Sequence, residues 1–161
     1  MTKESFIDLV KVEQDPLRRF LLALCSGDSE KADDIAQDTL MRAYVASGSF
    51  LGLSKFRTWL FRIAYNCYID HLRKQHLDSV PVDGGEVLRI ESEYAPDVSF
   101  RFQSLYQALD KLPQKEKVTI ILFYFEDRSI KEIASILGIP VGTVKYHLSR
   151  GRSHLKEMIR L

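Results

Sequence analysis

The chain has 161 residues, 45 % of them hydrophobic and 28 % charged, the make-up of an ordinary soluble globular protein with room for one medium domain or two small ones. That composition excludes a disordered tail, and the longest apolar run, "VTIILFYF", falls far short of the roughly 20 residues of a membrane helix; the polar start, Met1 to Ser5, predicts no signal peptide and a cytoplasmic location. The net charge of +1 is unevenly spread: residues 1–76 carry 11 Lys and Arg against 10 Asp and Glu, residues 77–98 carry 1 against 6, and residues 99–161 carry 11 against 6.

The first predicted helix lies in "DSEKADDIAQDTLMRAYVAS". Asp28 or Ser29 suits its N-cap, and its early acids suit the positive end of the helix dipole. Ala32, Ile35, Ala36, Thr39, Leu40 and Ala43 form its core stripe, which turns Asp34, Asp38, Met41 and Val45 to the opposite face with Gln37 at the edge. A Met and a Val beside carboxylates form either a protein-docking patch or a surface covered by a neighbouring helix.

"SGSFLGLSKF" follows as a Gly- and Ser-bearing loop of a kind that can pocket an extruded base. Ser54 then suits the N-cap of "SKFRTWLFRIAYNCYIDHLRKQ", whose core stripe runs Phe56, Leu60, Ile63, Ala64, Cys67. Its other side carries Thr58, Phe61, Arg62, Tyr65, Ile69 and Arg73. Interleaved aromatics and arginines suit unstacked bases, and a helix apolar on two sides equally suits a position central to its domain.

Residues 77–98, "LDSVPVDGGEVLRIESEYAPDV", hold two Pro and two Gly, five net negative charges and no sustained period, which predicts an acidic linker between domains 1–76 and 99–161. At about 3.3–3.6 Å per residue it spans roughly 70 to 80 Å, more than the roughly 34 Å of one DNA turn. Beyond it the period stays helical, giving an all-α chain of two small domains. The apolar sets are Phe102, Leu105, Tyr106, Leu109; Val118, Ile121, Leu122, Phe125; and Ile130, Ile133, Ala134, Leu137. Pro113 suits a helix start.

Gly138 ends one helix and Pro140 opens the next, the spacing of a helix-turn-helix. In the last helix Val144, Leu148, Gly151 and Leu155 share an inner face, so Tyr146, Ser149, Arg150 and Ser153 point outward with Lys145 and Arg152 flanking them. From Pro140 onward there are five Lys and Arg against one acid. Beside a preceding helix, a Gly turn and a basic domain, that face points to duplex DNA rather than to plain solvation, with Arg150 and Lys145 reaching base edges and Arg152 and His147 suited to phosphates. Cys25 and Cys67 are too few for a disulfide framework and suit reduced core positions. Cys67, His71 and His76 lack any HExxH or CxxC pattern, so no metal or other cofactor is expected.

The strings "DDIAQDTLMRAY", "FRTWLFRIAYNCYIDHLRK" and "LPQKEKVTIILFYFEDRSIKEIASILGIPVGTVKYHLSRGR", in this order around an acidic linker, resemble regions 2 and 4 of a bacterial RNA polymerase sigma factor of the extracytoplasmic-function type. The resemblance covers nearly the whole chain. It implies a non-enzymatic protein, monomeric when free, that directs core RNA polymerase to promoters. It further implies that Asp34, Gln37, Asp38 and Met41 dock on the clamp helices of the polymerase's largest catalytic subunit. Phe56, Arg57, Trp59, Arg62 and Asn66 would read and melt the −10 element, and Thr143, Lys145, Tyr146, Ser149, Arg150 and Arg152 the −35 element. Tyr146 and His147 stand where many relatives have a Ser-Arg pair. An anti-sigma partner is implied as well. The competing class is a stand-alone helix-turn-helix regulator that binds duplex DNA without polymerase.

Overall fold

A computed structural model describes residues 1–78 and 100–159. The described residues contain seven α-helices and no strand: α1 (Lys3–Leu24), α2 (Ser29–Ala46), α3 (Phe56–Asp78), α4 (Phe100–Asp110), α5 (Gln114–Ile120), α6 (Ile130–Leu137) and α7 (Val141–Ile159). A short 3-10 turn, Ser47–Ser49, follows α2, and a π-helical turn, Ile121–Phe125, extends α5. None of the helices is long and apolar enough to cross a membrane.

No periodicity-based prediction precedes Asp28, and α1 is a structural addition. Thr2 caps it by accepting a hydrogen bond from the Ser5 amide at 3.1 Å. Pro16 lies inside the helix, where its missing N–H and its ring would ordinarily break it. Burial compensates, since Leu17, Phe20, Leu21 and Leu24 all vanish into the core, and tertiary packing supplies most of a protein helix's stability. Ser26 and Gly27, both at positive φ, then turn the chain sharply, and the Asp28 side chain caps α2 by accepting from the Lys31 amide at 3.1 Å.

The α2 stripe packs as expected, with Ala32, Ile35, Ala36, Thr39 and Ala43 buried and Leu40 half-buried. It meets Leu60, Ala64 and Cys67 of α3, all buried, and with α1 these helices form the N-terminal half. In the C-terminal half, α5 and its π turn pack on α6 and α7. The π turn accommodates one extra residue per turn, as in the Glu126 amide bonding to the Ile121 carbonyl at 3.2 Å. Ser129 and Glu132 form a full capping box at the start of α6, and Gly138 ends it in the left-handed region at φ 68°. Gly151 lets α7 lie close to α5, since a Cβ there would sit 3.0 Å from Ile120 Cγ1.

One hydrophobic core runs through both halves. At the seam between them, the Tyr68 hydroxyl donates to Gln114 Oε1 at 3.0 Å, Arg19 pairs with Glu126, and Lys117 reaches the Leu24 carbonyl. Helix α3 continues to Asp78 and so takes in the first two residues of the expected acidic linker; the rest of that linker lies outside the described residues.

Candidate protein- and nucleic-acid-binding surfaces

The face of α2 opposite its core stripe stands in water. Asp34 and Gln37 are exposed, Met41 is 69 % and Val45 85 % exposed, and Tyr44 beside them is also exposed. Among the described residues no helix covers this patch. Asp38 is only half-exposed, because its Oδ2 lies 2.7 Å from His71 Nε2. That bond occupies His71 at the edge of the α3 stripe. Arg42 on the same helix is tied to Asp70 at 2.8 Å.

The residues expected to meet the −10 element divide into two groups. Phe56 is buried in an aromatic cluster, edge-on to Phe50 and Phe6 at centroid distances of 5.8 and 6.2 Å. Trp59 closes the cluster 5.2 Å from Phe50, and Arg57 is half-buried in an ion pair with Glu13. Arg62 and Asn66, by contrast, are exposed. The cluster therefore anchors the loop that follows the 3-10 turn, while the exposed side chains on α3 are open to a ligand. Leu51 and Leu53 in that loop are strongly exposed around Gly52, which adopts a positive φ. Two leucines flanking a glycine in a polar loop are the sequence signal for this tip, and it escapes a reading based on helical period.

The second apolar side of α3 is largely buried, which settles the choice left open by its pattern. Thr58, Phe61 and Tyr65 are all buried. Phe61 stacks on Phe20 at 4.8 Å with the rings nearly parallel, and the Lys115 ammonium sits 5.3 Å from the Tyr65 ring centre. Phe61 and Tyr65 thus meet protein, while Ile69 is half-buried and Arg62 and Arg73 of that side are exposed.

On α7, Val144, Leu148 and Gly151 face inward and are buried, while Lys145, Tyr146, Ser149 and Arg150 are exposed in one strip. Thr143 is half-buried in the first turn. Arg152 is exposed but engaged: its Nε donates to the Tyr124 hydroxyl at 2.5 Å, and its guanidinium lies 5.5 Å from the rings of both Phe123 and Tyr124. The π turn thereby orients the arginine expected to meet phosphate, a role for Tyr124 not visible in the helical period.

Neither cysteine is set up for chemistry. Burial pushes the Cys25 thiol up to about 12, against the pull of Lys31 and Lys117, and burial likewise raises Cys67 despite its hydrogen bond with Thr39. Thiols held protonated are poor nucleophiles and poor metal ligands. Among the described residues no three His, Cys, Asp or Glu side chains converge on a point where they could hold a metal.

Comparison with known proteins bears on the whole length. The Sigma-70 region 2 family matches residues 9–77, and the Sigma-70 region 4 family matches residues 102–155. The ECF RNA polymerase sigma factor SigW of Bacillus subtilis is 37 % identical over 98 % of this chain and 90 % of its own. The ECF RNA polymerase sigma factor EcfG of Rhodopseudomonas palustris is 33 % identical over 97 % and 86 %. Among solved structures, the sigma factor RpoE of Bartonella quintana, in complex with the anti-sigma factor NepR, superposes with a TM-score of 0.82 at 30 % identity over 98 % of both chains. The two matched regions fall on the two halves of an all-helical fold, and the chain belongs to the sigma-70 family as an RNA polymerase sigma factor of the ECF type, acting in transcription initiation.

Proposed function

We propose that this sigma factor docks on the clamp helices of the polymerase's largest subunit through Asp34, Gln37, Asp38 and Met41. In that complex the N-terminal domain opens and reads the −10 element with Arg62, Asn66 and the Leu51–Leu53 tip, braced by Phe56, Arg57 and Trp59. The C-terminal domain reads the −35 element with Lys145, Tyr146, Ser149 and Arg150, while Thr143 and Arg152 hold the flanking backbone. The domains are taken as 1–76 and 99–161, joined by residues 77–98. The chain works in the cytoplasm, where the polymerase is, and the RpoE–NepR complex supports an anti-sigma factor as its restraining partner.

The observation that carries this is the bare face of α2, where Met41 and Val45 are left in water beside two acids on a helix whose opposite stripe packs in the core. A stand-alone regulator has no use for such a face, whereas a polymerase-docking protein needs one. A gel shift on a promoter fragment tests it. Retention is expected with core polymerase plus this protein and with neither component alone, and retention by the protein alone at physiological salt would favour the stand-alone regulator.

A further inference from the structure

Asp38 and Arg42 stand four residues apart on α2, acid first, the spacing and order in which opposite charges pair most readily along a helix. Their partners in this structure lie elsewhere. Two consecutive residues of α3 take one each. Arg42 Nη1 donates to Asp70 Oδ2 at 2.8 Å, and His71 Nε2 donates to Asp38 Oδ2 at 2.7 Å, since an ionised carboxylate can only accept. The Arg42 guanidinium is held above its ordinary value chiefly by its hydrogen bond to Asp70, and the Asp38 charge adds a smaller push in the same direction. Asp38 is therefore within electrostatic reach of an arginine that has been drawn aside.

Both side chains of the Arg42–Asp70 pair are half-exposed, and ion pairs so wet add little to a fold. The buried stripes already hold α2 and α3 together. What the pair changes is the charge on the bare face. With Arg42 turned to Asp70, the Asp38 carboxylate keeps one oxygen fixed on His71 while its side chain stays 45 % exposed, about one helix turn from Met41. A carboxylate relieved of a rival and held in one orientation before the encounter loses less freedom when a partner binds.

We propose that Asp70 and His71 are positioning residues for polymerase docking: Asp70 draws Arg42 away from Asp38, and His71 holds the freed carboxylate on the docking face, where it accepts a hydrogen bond from the polymerase. This rests on the docking face proposed above and assigns the two residues of α3 that prepare it.

Binding titrations of the full chain with core polymerase test it, with circular dichroism confirming that each variant is folded. Asp70→Asn releases Arg42 to Asp38 and should weaken binding about twofold, the strength of an exposed i,i+4 pair. Adding Arg42→Gln to Asp70→Asn should restore the wild-type value, because no rival for Asp38 remains. Arg42→Gln alone should leave binding unchanged, Asp70 keeping Arg73 at 3.9 Å. If the Arg42–Asp70 pair served only the fold, the double variant would stay weak, since it lacks the pair too. His71→Leu should weaken binding about two- to tenfold, the cost of ordering one more side chain on docking. His71→Gln, whose amide N–H has the same reach from the helix, should recover it.

Binding by Asp70→Asn equal to wild type, a defect that persists in the double variant, or equal losses in His71→Gln and His71→Leu would overturn the proposal. Should His71→Leu fail to fold, the Asp70 series decides alone, its side chains lying at the surface. Met41→Lys separates positioning from docking. If Met41→Lys binds as wild type does, the face itself is wrong and the positioning falls with it; a loss in Met41→Lys beside full binding by Asp70→Asn removes the positioning alone.

Discussion

Met41 shows how a single side chain can be set aside from folding. It sits on α2 opposite the buried stripe of Ala32, Ile35, Ala36, Thr39 and Ala43 and is 69 % exposed, so replacing it removes almost nothing from the core. Full burial of a Met on docking is worth about 1.5–3 kcal/mol, roughly a tenfold to hundredfold change in affinity. Met41→Lys should therefore leave the melting curve within about 0.5 kcal/mol of wild type and weaken polymerase binding by about that factor. Parallel thermal melts and a binding titration check this, and an unchanged Kd would show that the bare face is not the docking site. Asp38 behaves differently, because its carboxylate already meets His71 at 2.7 Å. Any change at Asp38 disturbs that intramolecular pair as well as a partner, which makes Met41 the cleaner probe.

Elements decide how α7, the proposed recognition helix, is presented. Helix α6 starts on a reciprocal pair: the Glu132 amide donates to Ser129 Oγ at 3.0 Å, and the Ser129 amide donates to Glu132 Oε1 at 3.2 Å. Partial burial raises the Glu132 carboxyl, but the Ser129 hydrogen bonds and nearby Arg128 and Lys55 outweigh it, and the net direction is down from 4.5. A carboxyl with a depressed folded-state value stabilises the fold above its unfolded value and loses that contribution as pH falls through the folded one. The stability gap between wild type and Glu132→Gln should thus be full at neutral pH and close as pH drops below about 4.5, followed by urea melts at a series of pH values. Gly151 sets the spacing of α5 and α7. Gly151→Ala would push a methyl to 3.0 Å from Ile120 Cγ1 and 3.2 Å from its Cδ1. A helix-propensity gain of about 1 kcal/mol then competes with overpacking of about 1–3 kcal/mol, and because the closest atom is a branch carbon near the backbone of Ile120, overpacking should win. A melting temperature above wild type would contradict that balance. Gly138 and Pro140 are the features most legible in the sequence, since each acts locally and together they fix where α6 ends and α7 begins; the Ser129–Glu132 pair is equally local, but the helical period that marks α6 does not reveal it. Helix α1 was not legible, because Pro16 signals a break and only contacts with residues tens of positions away keep the helix whole. The aromatic side of α3 was ambiguous for the same reason. Phe61 and Tyr65 read equally as stacking platforms or core until Phe20 and Lys115 are seen against them.

At the scale of the whole molecule, the question is whether the two surfaces proposed to read DNA act as neighbours or as separate hands. In this structure they approach each other: the Arg62 guanidinium lies 4.0 Å from where a Cβ on Gly138, in the turn before α7, would stand. Residues that share contacts like this couple when mutated, by about 0.5–3 kcal/mol, whereas residues farther than about 7–10 Å apart with no shared partner add to within about 0.3–0.5 kcal/mol. A promoter grip made by separated halves predicts the second behaviour. In the assembled polymerase complex, Arg150→Ala should cost about 1–3 kcal/mol of promoter affinity if it reads bases, and the cost should concentrate on −35 substitutions. Arg62→Ala should weaken binding through the −10 side. Each half binds more tightly because the other confines it near the DNA, yet neither side chain touches the other's partner once the halves have moved apart. The double variant in a complete mutant cycle should therefore equal the sum of the single effects to within about 0.5 kcal/mol. A coupling energy clearly above that would place Arg62 and the recognition helix in contact on the promoter, and the halves would then have to read DNA without parting.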